Sequence, residues 1–306
     1  MPFPSRQIFD WRLRTRTLAL GHRTLIMGIL NVTPDSFSDG GHFYDAASAP
    51  ERAVAHALDM LDHGADLLDL GGESTRPGAT TLSTDEEQAR VLPVLEALRR
   101  ERPYSIISID TFHAATAKRA IEAGAEIVND VSGGLWDAEM LTTLANLRCG
   151  AVLMQTRGTP QEWRTQAALA ADEVMPLVMS GLGERLAAAQ AAGLSLEQIV
   201  LDPGLGFGKR LEENYPILSH LSELARLQRP ILFGASRKGF LAHTIAQASN
   251  LAAVHQGAPP PSNARLNATT AANVAAILAG AHILRVHDVQ PAAEAAAIAD
   301  RILAEG

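Results

Sequence analysis

Eight short apolar runs punctuate the chain: "TLIMGIL" (24–30), "ADLLDL" (65–70), "SIISID" (105–110), "AEIVND" (125–130), "CGAVLM" (149–154), "QIVLD" (198–202), "PILFGA" (230–235) and "HILRV" (282–286). Each is too short for a buried helix. None alternates polar with apolar residues as a strand with one wet face would, so they read as strands covered on both faces. Between them lie longer stretches with helical spacing, among them "PERAVAHALDMLDHG" (50–64), "STDEEQARVLPVLEALRRE" (83–101), "EENYPILSHLSELARL" (212–227) and "PAAEAAAIADRIL" (291–303). Several end in Gly just before the next strand, a common helix stop, and Ser83 and Thr84 precede acids in a pattern like a capping box.

Strand–helix units of roughly 35 to 40 residues would fill this length as a (β/α)8 TIM barrel, a single α/β domain. Residues 1–22 read as an N-terminal extension packing on the barrel, and 23–306 as the barrel itself. A doubly wound open sheet is the competing arrangement. "NLAAVHQGAPPPSNAR" (250–265) reads as a surface excursion. With 47% hydrophobic and 20% charged residues the composition is that of a folded globular protein with a sizeable core. The net charge of -8, with no run of Lys or Arg longer than a pair, leaves no electrostatic footprint for nucleic acid or an acidic membrane. One cysteine, Cys149, excludes an intrachain disulfide, and no Cys/His cluster has zinc-ligand spacing. No stretch has the apolar core of a signal peptide or the length of a membrane span, so a cytoplasmic protein is expected.

In such barrels the active site lies at the C-terminal ends of the strands. Here those ends carry Asn31, then "GGESTRPGA" from Gly71, Asp110, Asn129, Met154 with Gln155, Asp202, Ser236 with Arg237 and Lys238, and Arg285 with His287. Singly, Asp110, Asn129 and Asp202 could each cap the following helix. Lys238 and Arg285 could be solvated charges, and His287 a satisfied histidine beside a strand end. Together, acids, an amide and cations converging on one rim point to a ligand site.

"LDPGLGFGKR" (201–210) has the look of a phosphate-binding loop but fails both glycine templates. Counting back from Gly208-Lys209, the P-loop pattern finds Pro203 where its first Gly belongs and Arg210 where a hydroxyl residue belongs. In the dinucleotide pattern the third Gly position holds Lys209. The glycines serve a tight strand-to-helix crossing instead.

Seven segments, in order, resemble the dihydropteroate synthase family of pterin-binding barrels: "MGILNVTPDSFSDGG" (27–41), "GADLLDLGGESTRPGA" (64–79), "SIDTF" (108–112), "GAEIVNDVSG" (124–133), "LDPGLGFGK" (201–209), "GASRKGFL" (234–241) and "GAHILRVHDV" (280–289). The resemblance implies an enzyme of folate biosynthesis, a transferase and sulfonamide target. It would condense 6-hydroxymethyl-7,8-dihydropterin diphosphate with 4-aminobenzoate, by an S_N1-like course in which diphosphate leaves before the amine attacks. It implies that Asp202 accepts from the pterin's donor edge. Asp110 and Asn129 would meet the remaining ring nitrogens and amino group, Met154 line the pocket, Lys238 donate to the ring carbonyl, and Arg285 lie over the ring while reaching the diphosphate. Asn31, Arg285 and His287 would hold the diphosphate, and Asn31 and Asp39 a Mg2+ ion. Phe37, Ser74, Thr75, Arg76, Pro77, Phe207, Ser236 and Gly239 would form the 4-aminobenzoate site, although taken singly residues such as Phe37 and Pro77 are more often simple loop packing. The catalytic set is thus Asn31, Asp39, Lys238, Arg285 and His287.

Two departures stand out against that pattern. Relatives commonly have Ser where this chain has Gly239, and a His-Met pair where it has Gln155-Thr156 in "QTRGTP" (155–160). The second leaves room for a pterin-binding paralogue without turnover. A methyltetrahydrofolate-dependent methyltransferase of the same superfamily is the other reading, opposed by the loops "TPDSFSDGG" and "STRPGA". The Ala-rich "NATTAANVAAILAGA" (267–281) suits close helix packing, within the subunit or, as the resemblance implies, in a homodimer built on the late barrel helices.

Overall fold

The computed structural model describes residues 3, 5–33, 49–74, 82–248 and 265–305. An antiparallel hairpin, β1 (Phe9–Arg12) and β2 (Thr17–Leu20), precedes eight strands: β3 (Leu25–Asn31), β4 (Leu67–Gly71), β5 (Ile106–Asp110), β6 (Ile127–Asp130), β7 (Gly150–Met154), β8 (Ile199–Asp202), β9 (Leu232–Phe233) and β10 (Ile283–Val286). All eight fall within or one residue beyond the apolar runs. They form one parallel sheet in the order β8-β7-β6-β5-β4-β3-β10-β9. A parallel bridge between Leu201 and Ile231, with the Leu201 N–H donating to Pro230 O at 2.9 Å, joins the two edge strands. That juncture makes a nearly closed (β/α)8 barrel and excludes the open doubly wound sheet.

Helices α1 (Ala49–Asp62), α2 (Thr84–Glu101), α3 (Ala114–Glu122), α4 (Met140–Leu147), α5 (Ala171–Ala191), α6 (Tyr215–Ser219), α7 (Gly239–Gln247), α8 (Leu266–Leu278) and α9 (Val289–Glu305) are the α-helices among the described residues. In α2, Val91, Val94, Leu95 and Leu98 recur at the spacing that buries one helical face against the sheet. Its start is the capping box expected from sequence: Ser83 Oγ accepts from the Glu86 N–H and Glu86 Oε2 from the Ser83 N–H, at 3.3 and 2.9 Å. The stretch 212–227 differs from the single helix its pattern suggests. It divides into a 3-10 turn at Glu212–Asn214, the short α6 and a second 3-10 segment at Leu221–Leu227. Asn214 is the cause at its N-terminal end, because its side-chain amide takes the carbonyls of Arg210 and Leu211 (2.6 and 3.1 Å) in place of helical N–H donors.

The hairpin plugs the barrel floor. Trp11, Leu13 and Leu20 pack against Leu67, Ile106, Ile127, Val152, Val200 and Ile283 from the strand bases, and the indole N–H of Trp11 donates to Gln198 O at 2.8 Å. A second tie runs through buried His282. Its Nδ1 accepts from the Ile231 N–H at 3.1 Å, which places the proton on Nε2, donated to Gln7 O at 3.0 Å. Burial pushes this imidazole down to about 4, against the weaker opposing pull of Gln7 O.

The sign of the resulting pH dependence follows. Unfolded His282 takes a proton near its ordinary value of 6.5, whereas the folded ring stays neutral until about 4, so its stabilising effect is complete above 6.5 and is lost as pH falls through that window. Urea unfolding at pH 7.5 and 5 should show wild type losing about 2 kcal/mol more than His282→Leu over this interval. Parallel pH dependences for the two proteins would contradict the assignment.

Candidate active site

Successive strand residues face opposite sides of a sheet. In β4, Leu68 and Leu70 belong to the shell beneath the helices and Leu67 to the floor, so Leu67, Asp69 and Gly71 look into the barrel. The same step of two leads from Ile106 to Ser108 and Asp110, from Ile127 to Asn129, from Val152 to Met154, from Val200 to Asp202, and from Ile283 to Arg285. One pleat above the floor the interior therefore changes from apolar to largely polar. It opens there into a cleft of about 1190 Å³ whose lining includes Asn31, Asp110, Asn129, Met154, Asp202, Phe207, Ser236, Lys238, Gly239, Arg285 and His287.

Arg285 stands at the centre of this layer. Its Nε donates to Asp69 Oδ2 at 2.6 Å and its Nη2 to Asp110 Oδ2 at 2.5 Å, while Asn129 Nδ2 donates to the same Asp69 oxygen at 2.8 Å. Burial works against the guanidinium's charge, but the two acids outweigh it and hold its pKa above the ordinary value. Asp110 is pushed up to about 7 by burial, with Arg285 opposing and Asp69 adding to the rise.

Across the cleft, burial also raises Asp202, opposed by the Gly204 N–H that donates to its Oδ1 at 2.7 Å and then by Lys238. Lys238 Nζ donates to Leu205 O and lies 4.3 Å from the centre of the Phe207 ring, a cation–π contact. Burial lowers this lysine to about 8, with Asp202 resisting. None of Asp110, Asn129 and Asp202 caps a helix through the bonds described here. Each lines the cleft.

The glycine loop is a wall built from backbone. Gly204 and Gly208 have φ of +69° and +72°, and a Cβ on them would lie 1.9 Å from Gln155 O and 2.3 Å from Arg157 O. The loop is pinned from within. Buried Lys209 donates from Nζ to Gly204 O at 2.8 Å and to Gln155 O at 3.3 Å, and Asn214 Oδ1 accepts from the Gly206 N–H at 2.6 Å. Burial lowers Lys209 to about 7. Trp163 meets Phe207 edge-on at 5.2 Å between ring centres and also lines the cleft.

At the third side, His287 Nδ1 and Ser236 Oγ are 3.0 Å apart, and the His287 N–H donates to the same hydroxyl at 3.1 Å. Arg237, with φ of +58°, is held by Asp288 through its Nε at 3.0 Å. The next residue, Lys238, is the N-cap of α7 and makes no side-chain cap, and Gly239 and Phe240 of the first turn line the cleft, with open space where a Gly239 Cβ would stand. Asn31 at the end of β3 and Ser74 after β4 complete the rim. Phe37, Asp39, Thr75, Arg76 and Pro77 lie outside the described residues. Gln155, at the departure after β7, does not line the cleft: a Cβ on Gly181 of α5 would sit 2.8 Å from its Cγ, so its side chain turns outward against that helix.

A sequence profile described as "Pterin binding enzyme" matches residues 27–287. The chain belongs to this family. It is 39% identical over 302 residues to a dihydropteroate synthase of Synechocystis, covering 98% of this chain and 95% of that one. It is 40% identical over 278 residues to the dihydropteroate synthase of Escherichia coli, covering 91% of each. A Xanthomonas albilineans dihydropteroate synthase solved with 4-aminobenzoic acid superimposes with a TM-score of 0.83 at 37% identity, covering 97% of this chain and 99% of that one.

Sequence reasoning passed over Asp69, Lys209 and Trp163. The available signal for the first was an acid inside an otherwise apolar strand, "LLDL". Glycine substitutions test the backbone wall. Gly204→Ala should cost well over 2 kcal/mol or prevent folding. Gly183→Ala, in α5 with nothing within 4 Å of its Cβ position, should be neutral or stabilising by about 1 kcal/mol. Thermal unfolding of the two variants measures this, and equal midpoints would contradict it.

Proposed function

We propose that this chain condenses 6-hydroxymethyl-7,8-dihydropterin diphosphate with 4-aminobenzoate to give 7,8-dihydropteroate and diphosphate, the activity for which its relatives are named. The observation that carries this reading is the convergence of Asp202, Asp110, Asn129, Lys238 and Arg285, from five separate elements, in one cleft. A carboxylate at Asp202 accepts the adjacent N–H donors of the pterin's pyrimidinone edge. Asp110 and Asn129 meet the rest of the ring, Met154 supplies the apolar side, and Lys238 donates to the ring carbonyl oxygen. Arg285 lies over the ring and reaches the diphosphate, beside His287.

In the reaction the methylene–oxygen bond breaks with its electron pair leaving on diphosphate. The ring stabilises the methylene cation, and the amine nitrogen bonds to that carbon and gives up a proton. What the chain must do is orient both partners, neutralise the departing charge and exclude water. The first turn of α7 and Ser236 suit the aminobenzoate carboxylate, with Phe207 as the wall of its path, and the resemblance adds Ser74, Thr75, Arg76, Pro77 and Phe37 to this site. The backbone donors of α7 remain although Gly239 brings no hydroxyl. Because Gln155 faces α5, its departure from the relatives' pattern leaves the cleft lining intact, which favours turnover over a silent pterin-binding role.

Among the described residues no group of three or more His, Cys, Asp or Glu could hold a metal. Asn31, which lines the cleft, would offer one amide oxygen to Mg2+, an ion that keeps most of its waters, and the resemblance adds Asp39. When bound it would supply charge neutralisation for the diphosphate. Exposed Ile298 and Ile302 on α9, beside the Ala-rich α8, support a homodimer through these late helices. Among the described residues no helix is long and apolar enough to cross a membrane; the setting we propose, by resemblance, is the cytoplasm.

Diphosphate release, measured with and without 4-aminobenzoate, tests the activity. Dihydropteroate should appear, and tight pterin binding with neither product would overturn the reading. Asp202→Asn should weaken pterin binding about 10- to 100-fold, the worth of a charge-assisted pair, whereas Asp39→Asn should mainly lower kcat. Equal losses of pterin affinity would contradict the division of roles.

A further inference from the structure

The acid that touches no ligand position has the most telling contacts. Asp69 is fully buried and absent from the cleft lining, yet one of its oxygens joins two residues that do line it, Arg285 from β10 and Asn129 from β6. Asp69 faces neither solvent nor cleft, so it cannot read the substrate itself. We propose that Asp69 is a positioning residue, holding Arg285 through Nε and Asn129 through Nδ2 in one rigid frame against which the pterin is bound. This rests on the pterin-condensing reading and adds to it the element that sets the frame.

The two acids on Arg285 then have different duties. The Nε bond to Asp69 is made below the cleft and persists when ligand enters. The Nη2 bond to Asp110 is made at the cleft surface and is the one exchanged for ligand contacts. A guanidinium tied at one edge keeps its plane fixed while its other edge is free to act, which an untied arginine or a lysine cannot do. Asn129 is oriented by the same oxygen. Its Nδ2 is committed to Asp69, so its Oδ1 is the atom presented to the ring.

Asp69→Asn keeps an oxygen acceptor and removes the charge, and Asp69→Ala removes both. The expected order is a rise of about 10-fold in KM for the pterin diphosphate in Asp69→Asn and of about 100-fold or more in Asp69→Ala. KM for 4-aminobenzoate at saturating pterin should stay within about twofold of wild type. Affinity for pteroic acid, measured by calorimetry without turnover, should fall in the same order. Unchanged pterin parameters in folded Asp69→Asn, or equal rises for both substrates, would overturn the proposal. Should the variants not fold, the wild-type chain decides by nitrogen-15 NMR. The Arg285 Nε–H, assigned by its loss in Arg285→Lys, should exchange slowly with water both with and without pteroic acid. Fast exchange in either state would sink the idea. Absence of dihydropteroate formation in wild type would overturn the functional reading instead, and the calorimetric and NMR results would still decide the role of Asp69.

Discussion

One partly buried guanidinium makes the rest of the barrel mouth possible. Asp69 and Asp110 sit on neighbouring strands with their oxygens on Arg285. Without that cation two carboxylates would share a low-dielectric space with no counter-charge. With it, Asp69 takes Nε below the cleft, and Asp110 stays poised at about 7 where ligand enters. Lys238 and the Gly204 N–H play the same part for Asp202 on the opposite wall. The pocket is an arrangement of acids able to accept hydrogen bonds, balanced in the protein interior by cations aimed at the same space.

Holding such charges in place requires a stiff surround, and the fold supplies it from below and from the side. The N-terminal hairpin fills the floor with Trp11, Leu13 and Leu20, so the polar layer rests on a dry, packed one rather than on a pore. The glycine loop supplies the side wall. Its backbone approaches the residues after β7 more closely than any side chain allows, and Lys209 and Asn214 spend their polar atoms on its carbonyls and N–H groups. A loop with the look of a phosphate cradle is thereby a rigid partition, and Asn31 and His287 line the cleft away from it.

Much of this was legible in the sequence, for physical reasons that also explain what was not. Strands buried on both faces are written as apolar runs, and all eight could be seen. Polar residues at their C-terminal ends marked the mouth, since nothing else explains Asp110, Asn129, Asp202 and Arg285 together. Asp69 was hidden because it lies inside a run, where the eye reads an average and not the alternation that turns Leu67 and Asp69 inward and Leu68 and Leu70 outward. The division of 212–227 escaped notice because helical periodicity says nothing of Asn214's competing side-chain bonds. The direction taken by Gln155 depends on Gly181, a partner on a helix distant in sequence, and no local pattern carries that.

The most direct test of the account is a crystal structure of this chain with pteroic acid bound. The pterin ring should lie in the barrel mouth with its donor edge on the Asp202 carboxylate, its remaining polar atoms on Asp110, Asn129 and Lys238, and Arg285 over its face with Nε still on Asp69. A ring bound elsewhere, or bound in the mouth with Asp202 out of hydrogen-bond reach, would contradict it.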